Sequence, residues 1–288
     1  MNPTDTKRAT EFSKRLAKAS CVGVSDEQTS LVFIHQLVES VRRAEYYPVI
    51  AARRPPSALR GNPDEPCFEP ILAAMVRLRE GQYDDAAWLV FLAVHFGRNS
   101  RTGWSLARAT YRRWNWAKIS SNVSDFRDWL KRGHLLKSGS FGNHRKYQSL
   151  SGVSDVGTGV AVESYVRWIG VTHRDALASF PVESPRATFD RLYASMDGVR
   201  SFGRTARFDY LTTLAKIGMT AAEPGRLYLV GATGPLAGAR LMFGHGMPSA
   251  LDKLCVDLAD SLGVPPHVLE DALCNWQKSP QNFVRFRG

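Results

Sequence analysis

The stretch MDGVRSFGRTARFDYL, residues 196–211, combines residue types that suit phosphate binding. Two glycines flank the apolar Phe202, and three arginines within eight residues have no acid between them. Free backbone N–H groups at a helix start bind phosphate, and neighbouring arginines add charge-assisted hydrogen bonds. The pattern predicts a helix, a glycine-containing turn and a second helix in contact with a polyanion. The contacts expected from this stretch are those of Arg200, Gly203, Arg204, Thr205 and Arg207.

Two further stretches are rich in cations and contain no acid. Residues 98–118 hold five arginines and one lysine, and residues 131–147 hold five Lys or Arg. Acid-free runs are difficult to explain as salt-bridged helix faces, whereas they suit contacts to DNA phosphates. The formal net charge of +11 favours the same partner. We expect Trp114 and Trp116, which lie among these cations, to be core residues. The predicted DNA contacts are Arg98, Asn99, Arg101, Arg145 and Lys146.

Four polar or aromatic side chains in these stretches are candidates for contact with a base turned out of the duplex. They are His95, Asn143, His144 and Tyr147. Asparagine offers both a donor and an acceptor to a base edge, as recognition of an extruded base requires. A lone histidine is more often structural, and this alternative stays open for both histidines.

The elements that must position these residues are predicted to be almost all helical. Apolar residues recur at helical spacing over eleven segments, and the one extended candidate is GRLYLVG, residues 225–231. A segment with six prolines, residues 48–70, predicts a linker. We therefore expect a mainly α protein with a boundary near residue 66. The predicted helices are 5–20, 26–47, 69–80, 83–96, 102–115, 123–132, 159–170, 186–197, 204–217, 249–261 and 265–277.

Composition narrows the class of protein. The chain has 288 residues, 44% of them hydrophobic, which is enough for a sizeable core. Its apolar runs are shorter than the roughly 20 residues of a membrane span, and its N-terminus is polar. Four scattered cysteines form no CxxC pair. We expect a cytoplasmic monomer with no membrane contact, no metal and no cofactor.

The order of these features along the chain resembles the helix-hairpin-helix DNA glycosylases. AAWLVFLAVHFGRNSRTGWSLARATYRR (86–113) is similar to their helix, wedge loop and second helix, and SFGNHRKYQSL falls where they have a glycine turn. The 196–211 stretch is similar to their hairpin. The resemblance implies a glycosylase-like catalytic domain over residues 67–288, preceded by a helical extension and linker over residues 1–66.

A closer resemblance is to the α-glutamyl/putrescinyl-thymine pyrophosphorylase family, clade 3. The stretches that carry it are VFLAVHFGRN, GNHRKYQSL, FGRTARFDYL, GATGPLAGARL and LEDALCNWQKSP. The family implies a hypermodified pyrimidine in phage DNA as substrate. Its phage members are linked to replacement of an activated group on the thymine methyl by an amine, and bacterial relatives to defence against such DNA.

The resemblance also raises the question of which carboxylate acts. The glycosylase aspartate would fall near Gly231, where GATGPLAG has no acid. An anion near the sugar stabilises the cationic transition state of N-glycosidic cleavage, so another carboxylate would be needed. The candidates are Asp209 and Glu163, with Glu270 and Asp271 after them. Each could instead form an ordinary ion pair.

These observations favour an enzyme that flips a hypermodified pyrimidine, glycosylated ones included, out of double-stranded DNA. It would excise that base and leave an abasic site, in an anti-phage role. The first alternative is a transferase or pyrophosphorylase that replaces an activated group on a modified thymine. The second is a non-catalytic reader of modified DNA, suggested by the missing aspartate.

Overall fold

A computed structural model describes residues 2–179 and 184–285 of the chain. It confirms the mainly α class, because the described residues form fifteen α-helices. None of these helices is both long enough and apolar enough to cross a membrane. In chain order the helices are α1 Pro3–Leu16, α2 Glu27–Arg53, α3 Ala58–Gly61, α4 Pro70–Arg79, α5 Tyr83–Phe96, α6 Ser105–Arg113, α7 Trp116–Ser121, α8 Val123–Lys131, α9 Thr158–Ile169, α10 His173–Ala178, α11 Pro185–Ser195, α12 Arg204–Lys216, α13 Gly234–Phe243, α14 Pro248–Leu262 and α15 Pro266–Trp276.

All eleven helices predicted from periodicity are present, with ends that differ by a few residues. Local capping explains several of the starts. Asn2 accepts a hydrogen bond from the N–H of Asp5 at 2.9 Å, and Ser184 accepts one from Ala187 at 3.2 Å. Proline occupies an early position in both α1 and α11, where its missing N–H costs nothing. Four helices lie outside the predicted ranges. The short helices α3, α7 and α10 have only four to six residues and show little periodicity, and the fourth is the ten-residue α13.

The predicted strand at residues 225–231 is wrong. This segment is irregular, and Tyr228 has a positive φ of 54° that interrupts an extended backbone. The N–H groups of Leu227 and Leu229 donate to the carboxylate of Asp252 on α14, at 2.8 and 3.2 Å. A buried carboxylate therefore takes the place of the neighbouring strand that a sheet would need.

The chain divides into two compact units whose limits differ from the predicted boundary near residue 66. The first contains residues 1–46 and 223–288, and the second contains residues 47–222. The first unit forms because the N-terminal helices share a core with the C-terminal ones. Phe33 and Trp276 meet edge to face at 5.3 Å, and Arg43 forms an ion pair with Asp271 at 2.7 Å. This pair places Asp271 in a surface interaction, the alternative considered for it.

The glycines of the 231–238 segment serve packing inside the first unit. A Cβ on Gly234 would lie 2.6 Å from the sulfur of Cys274, and one on Gly238 would collide with the carbonyl of Leu273. Both contacts are with α15. Small residues are needed so that α13 can approach α15 closely.

The second unit is built around α5. Trp88 and Phe91 on this helix are fully buried, and α4 and α12 pack against it. Trp114 and Trp116 are 7% and 6% exposed, which confirms the prediction that they belong to the core. Phe202, from the turn before α12, stacks on Phe91 with ring centroids 5.0 Å apart. All three acid-free stretches lie in this unit.

The predicted helix, turn and helix around residue 200 is confirmed as local structure. A short 3₁₀ segment, Met196–Gly198, follows α11, and α12 begins at Arg204 after the turn. The residue with positive φ is Ser201, at 56°, whereas a Cβ on Gly198 or Gly203 would have nothing within 4 Å. The turn is therefore held by the burial of Phe202, 3% exposed, rather than by glycine geometry.

Candidate functional site

Two of the acid-free stretches meet in a pair of tightly packed loops. The loop after α5 and the segment around Gly142 approach so closely that a Cβ on Gly142 would lie 2.8 Å from the backbone nitrogen of Arg98. The N–H of Gly142 donates to the carbonyl of Phe96 at 2.8 Å, and Asn99 Nδ2 donates to the carbonyl of Phe141 at 2.9 Å. We call residues 97–104 and 139–148 the paired loops. Glycine at 142 is what brings their cations together.

Arg145 connects the paired loops to α12. Its side chain is only 11% exposed, and its Nε donates to the carbonyl of Val94 at 2.9 Å. Its Nη2 lies 3.9 Å from Oδ2 of Asp209 on α12. The guanidinium is therefore fixed by α5 and faces a predicted catalytic carboxylate. Sequence spacing could not show this contact, because 64 residues separate the two partners.

Asp209 lies on α12, near cations of the paired loops and of α12 itself. Half of its side chain is exposed, at 50%, yet removal of water by the surrounding protein raises the pKa of its carboxyl above the usual 3.8. Arg145, Arg204, Lys216 and His144 oppose this shift without cancelling it. A carboxylate that solvent can reach, with a raised pKa and cations nearby, can exchange a proton and contact a substrate.

Glu163, the other predicted catalytic carboxylate, is held between arginines. One oxygen accepts a short hydrogen bond from Arg127 Nη1, and the other lies 3.5 Å from Arg167 Nη2. Arg127 also donates to the carbonyl of Gly152 at 2.8 Å. This is the ion-pair alternative considered for Glu163, and the structure does not place it beside Asp209.

His95 lies in the interior, away from solvent. It is 1% exposed, its ring stacks on Phe91 at 5.6 Å, and its Nε2 lies 3.0 Å from Thr158 Oγ1. Because the Thr158 hydroxyl donates to the carbonyl of Ser149, His95 Nε2 is the donor. Burial lowers the pKa of His95 to about 3, so the ring is neutral near pH 7. These contacts favour the structural role that was the alternative for His95.

The other three predicted base contacts are exposed on the paired loops. Asn143, His144 and Tyr147 all face solvent, and Tyr147 is 88% exposed. The ammonium of Lys146 lies 5.1 Å from the centre of the Tyr147 ring. An aromatic ring this exposed, between cations, is available to a partner outside the chain.

The predicted DNA contacts separate into two groups. Arg204 is 8% exposed with its guanidinium 4.6 Å from the Phe208 ring, and Arg207 pairs with Asp197 at 3.0 Å. Asn99 uses its side chain within its own loop, where Oδ1 accepts from the N–H groups of residues 101 and 102. Within the described ranges, the exposed cations of this set that form no ion pair are Arg98, Arg101, Lys146 and Arg200. Gly203 and Thr205 are exposed as well.

A buried hydrogen-bond chain in the second unit was not predicted. Asp84 Oδ1 accepts from His173 Nδ1 at 2.7 Å, His173 Nε2 lies 2.7 Å from the Tyr165 hydroxyl, and that hydroxyl lies 2.8 Å from the Tyr210 hydroxyl. The His173 bond lowers the pKa of Asp84, while burial lowers the pKa of His173. Its members come from four helices, and only the pairing of acids at the start of α5 hints at it.

The described residues contain no group of three or more His, Cys, Asp or Glu side chains placed to hold a metal ion.

The described residues thus form a helical protein in which exposed cations of the paired loops lie near the carboxylate of Asp209. The chain matches the alpha-glutamyl/putrescinyl thymine pyrophosphorylase clade 3 family over residues 28–288, and it belongs to that family. The resemblance predicted from the sequence is thereby confirmed at the level of an enzyme family, while its relation to the glycosylases stays a prediction. Searches of curated proteins and of solved structures gave no significant match.

Proposed function

We propose that the protein transfers an amine to a modified thymine in DNA, with release of diphosphate. The family name describes a pyrophosphorylase of a modified thymine, and this favours group transfer over the excision first expected. In the proposed step the amine nitrogen attacks the methylene carbon on C5 of the base. A C–N bond forms, the C–O bond to diphosphate breaks with its electron pair, and the amine gives up one proton.

Asp209 is the observation that carries this proposal. Its carboxylate is half exposed and has a raised pKa, as a base that accepts the proton of the attacking amine requires. Arg145, 3.9 Å away and bonded to the carbonyl of Val94, would hold that carboxylate in place. The nearby cations would favour negative charge on the departing diphosphate.

The exposed cations near Asp209 would bind the DNA backbone. Arg98, Arg101, Lys146 and Arg200 would contact backbone phosphates, since their side chains are exposed. Tyr147, the most exposed aromatic ring of the paired loops, would fill the space left in the duplex when the base turns out. Asn143 and His144 on the same loop are then placed near the extruded base.

The test is a duplex that carries one thymine activated with diphosphate on its methyl carbon, incubated with an isotope-labelled amine. We expect labelled nucleoside and free diphosphate, measured by mass spectrometry after digestion. Asp209→Asn should abolish transfer and keep DNA binding, whereas Glu163→Gln should keep both. In the unmodified protein the rate should rise with pH through a pKa above 3.8, because the carboxylate must be ionised. Full transfer by Asp209→Asn would refute the assigned role.

Excision remains the second candidate because the same carboxylate could stabilise a sugar cation. It predicts alkali-labile abasic sites and an unlabelled released base in the same assay. Binding of modified DNA with neither product would favour the non-catalytic reader.

A further inference from the structure

A basic cavity is lined in part by the first of the paired loops and does not include Asp209. It measures about 310 Å³ and opens between the segment before α4 and the start of α6. Three arginines line it, Arg60, Arg98 and Arg108, and no lysine does. A volume of roughly 300 Å³ is at the lower end for small-ligand sites, which suits a compact ligand.

The charge in this cavity is not balanced by the protein. In the part of the chain that the structure describes, the side chains of Arg98 and Arg108 form no hydrogen bond or ion pair, and Arg60 Nη1 donates to the carbonyl of Cys67 at 3.3 Å. One carboxylate, that of Glu69, lines the cavity. Its oxygens already accept the N–H groups of Ile71 and Leu72, at 3.3 and 2.9 Å.

Glu69 is also a weak competitor for those arginines. Burial raises the pKa of its carboxyl, although Arg60 and Arg98 act in the opposite direction. It caps the first turn of α4, and no arginine nitrogen lies within ion-pair distance among the described residues. The cavity therefore keeps a net positive charge that an external anion can neutralise.

The start of α6 forms one wall of the cavity. The N–H of Ser105, the first residue of α6, already donates to the carbonyl of Thr102 at 3.3 Å. The Ser105 hydroxyl oxygen is buried and has no hydrogen-bond partner in the described structure, so it is closed off from the cavity. A Cβ on Gly139 would collide with that hydroxyl, so glycine is needed there to leave Ser105 room.

We propose that this cavity binds an anion of the phosphate class. Three guanidinium groups match the oxygens of a phosphate or diphosphate, and guanidinium groups bind such oxygens in pairs. The anion could be free diphosphate or a phosphate of the DNA backbone. Its link to the reaction rests on the proposed function, because diphosphate is the leaving group there. Anion binding itself does not depend on that function.

The test is titration of the full chain with pyrophosphate and with inorganic phosphate by calorimetry, against chloride at equal ionic strength. We expect saturable binding of pyrophosphate that Arg108→Gln weakens by about tenfold or more, as expected for a lost charge-assisted bond. Arg98→Gln should act in the same way, and its agreement excludes a folding defect of one variant. Arg112→Gln is the matched control: it removes the same charge from α6, but Arg112 pairs with Asp64 at 2.7 Å outside the cavity.

Unmodified duplex DNA distinguishes the two sources of the anion. If the site takes free diphosphate, Arg108→Gln should weaken pyrophosphate binding and leave duplex affinity unchanged. If it takes a backbone phosphate, duplex should compete with pyrophosphate and Arg108→Gln should weaken duplex binding. Either result supports the site. Failure of pyrophosphate and phosphate to bind beyond chloride, with duplex affinity unchanged in Arg108→Gln, would overturn it. No activated thymine is present, so failure of amine transfer is a separate outcome.

Discussion

Replacing Arg200 by alanine should reduce the salt dependence of DNA binding by one phosphate contact, whereas replacing Arg207 should leave it unchanged. Arg200 is exposed, and its backbone N–H is fixed by Ser164 Oγ at 2.9 Å. Arg207 lies seven residues away, carries the same charge and is 17% exposed, but its Nη1 is 3.0 Å from Asp197. The pair compares a free cation with a neutralised one on the two sides of one turn.

The expected magnitude follows from the exposed cations. Each neutralised phosphate contributes about 0.9 to the slope of log affinity against log salt. The four exposed candidates, Arg98, Arg101, Lys146 and Arg200, predict a slope of about −3.6, which corresponds to roughly a 150-fold loss of affinity between 50 and 200 mM salt. Arg200→Ala should lower the slope to about −2.7.

Fluorescence anisotropy with an unmodified duplex, at several salt concentrations, measures both slopes. Binding that ignores salt would refute a phosphate-contacting surface. A loss in Arg207→Ala as large as that in Arg200→Ala would refute the division into free and neutralised cations. Circular dichroism of each variant checks that the helices are retained.

Three further predictions concern stability, each measured by denaturant unfolding. His95 has a folded pKa of about 3, below its usual 6.5, so the unfolded chain takes up the proton first and stability is lost as pH falls below 6.5. Wild type should therefore lose about 2 kcal/mol more stability than His95→Gln between pH 7 and pH 5. Equal losses of stability would contradict this. Asp252→Asn should cost about 2 kcal/mol, because two backbone N–H groups lose a buried charged acceptor, and a neutral result would show that the contact is dispensable. Gly142→Ala should reduce stability by about 1–3 kcal/mol, because its Cβ would collide with Arg98. Gly203→Ala should reduce stability by about 1 kcal/mol or less, because its Cβ would meet nothing within 4 Å. The reverse order would contradict the account of the paired loops.

The helices could be predicted because their signals are local. Apolar spacing repeats within one or two turns, and it predicted α4, α5 and α11 with ends within two residues of those observed, whereas α1 ends four residues before its predicted end. The irregular 225–231 segment could not be recognised in this way. Its backbone partner is Asp252, more than twenty residues later, and apolar residues alone do not show whether a neighbouring strand exists.

The site was harder to predict because its properties depend on partners far along the chain. Arg207 belongs to an acid-free window, yet its partner Asp197 lies just before that window. His95 stands beside glycine and cations in the sequence, but the end of α5 turns its ring inward against Phe91. Asp209 could be selected as a carboxylate, while the contact with Arg145 that marks it required the fold.

The aromatic core explains how the paired loops keep Arg145 at a fixed distance from the carboxylate of Asp209. Phe202, in the turn before α12, stacks on Phe91 of α5, and α5 ends at the first of the paired loops. The second of those loops places Arg145 against the carbonyl of Val94 on α5 and near Asp209 on α12. Helices α5 and α12 are thus connected twice, once through the paired loops and once through the buried rings of Phe91 and Phe202. Because interiors are closely packed, the distance between the guanidinium and the carboxylate is set by that core, which links the site's geometry to residues that never touch a substrate.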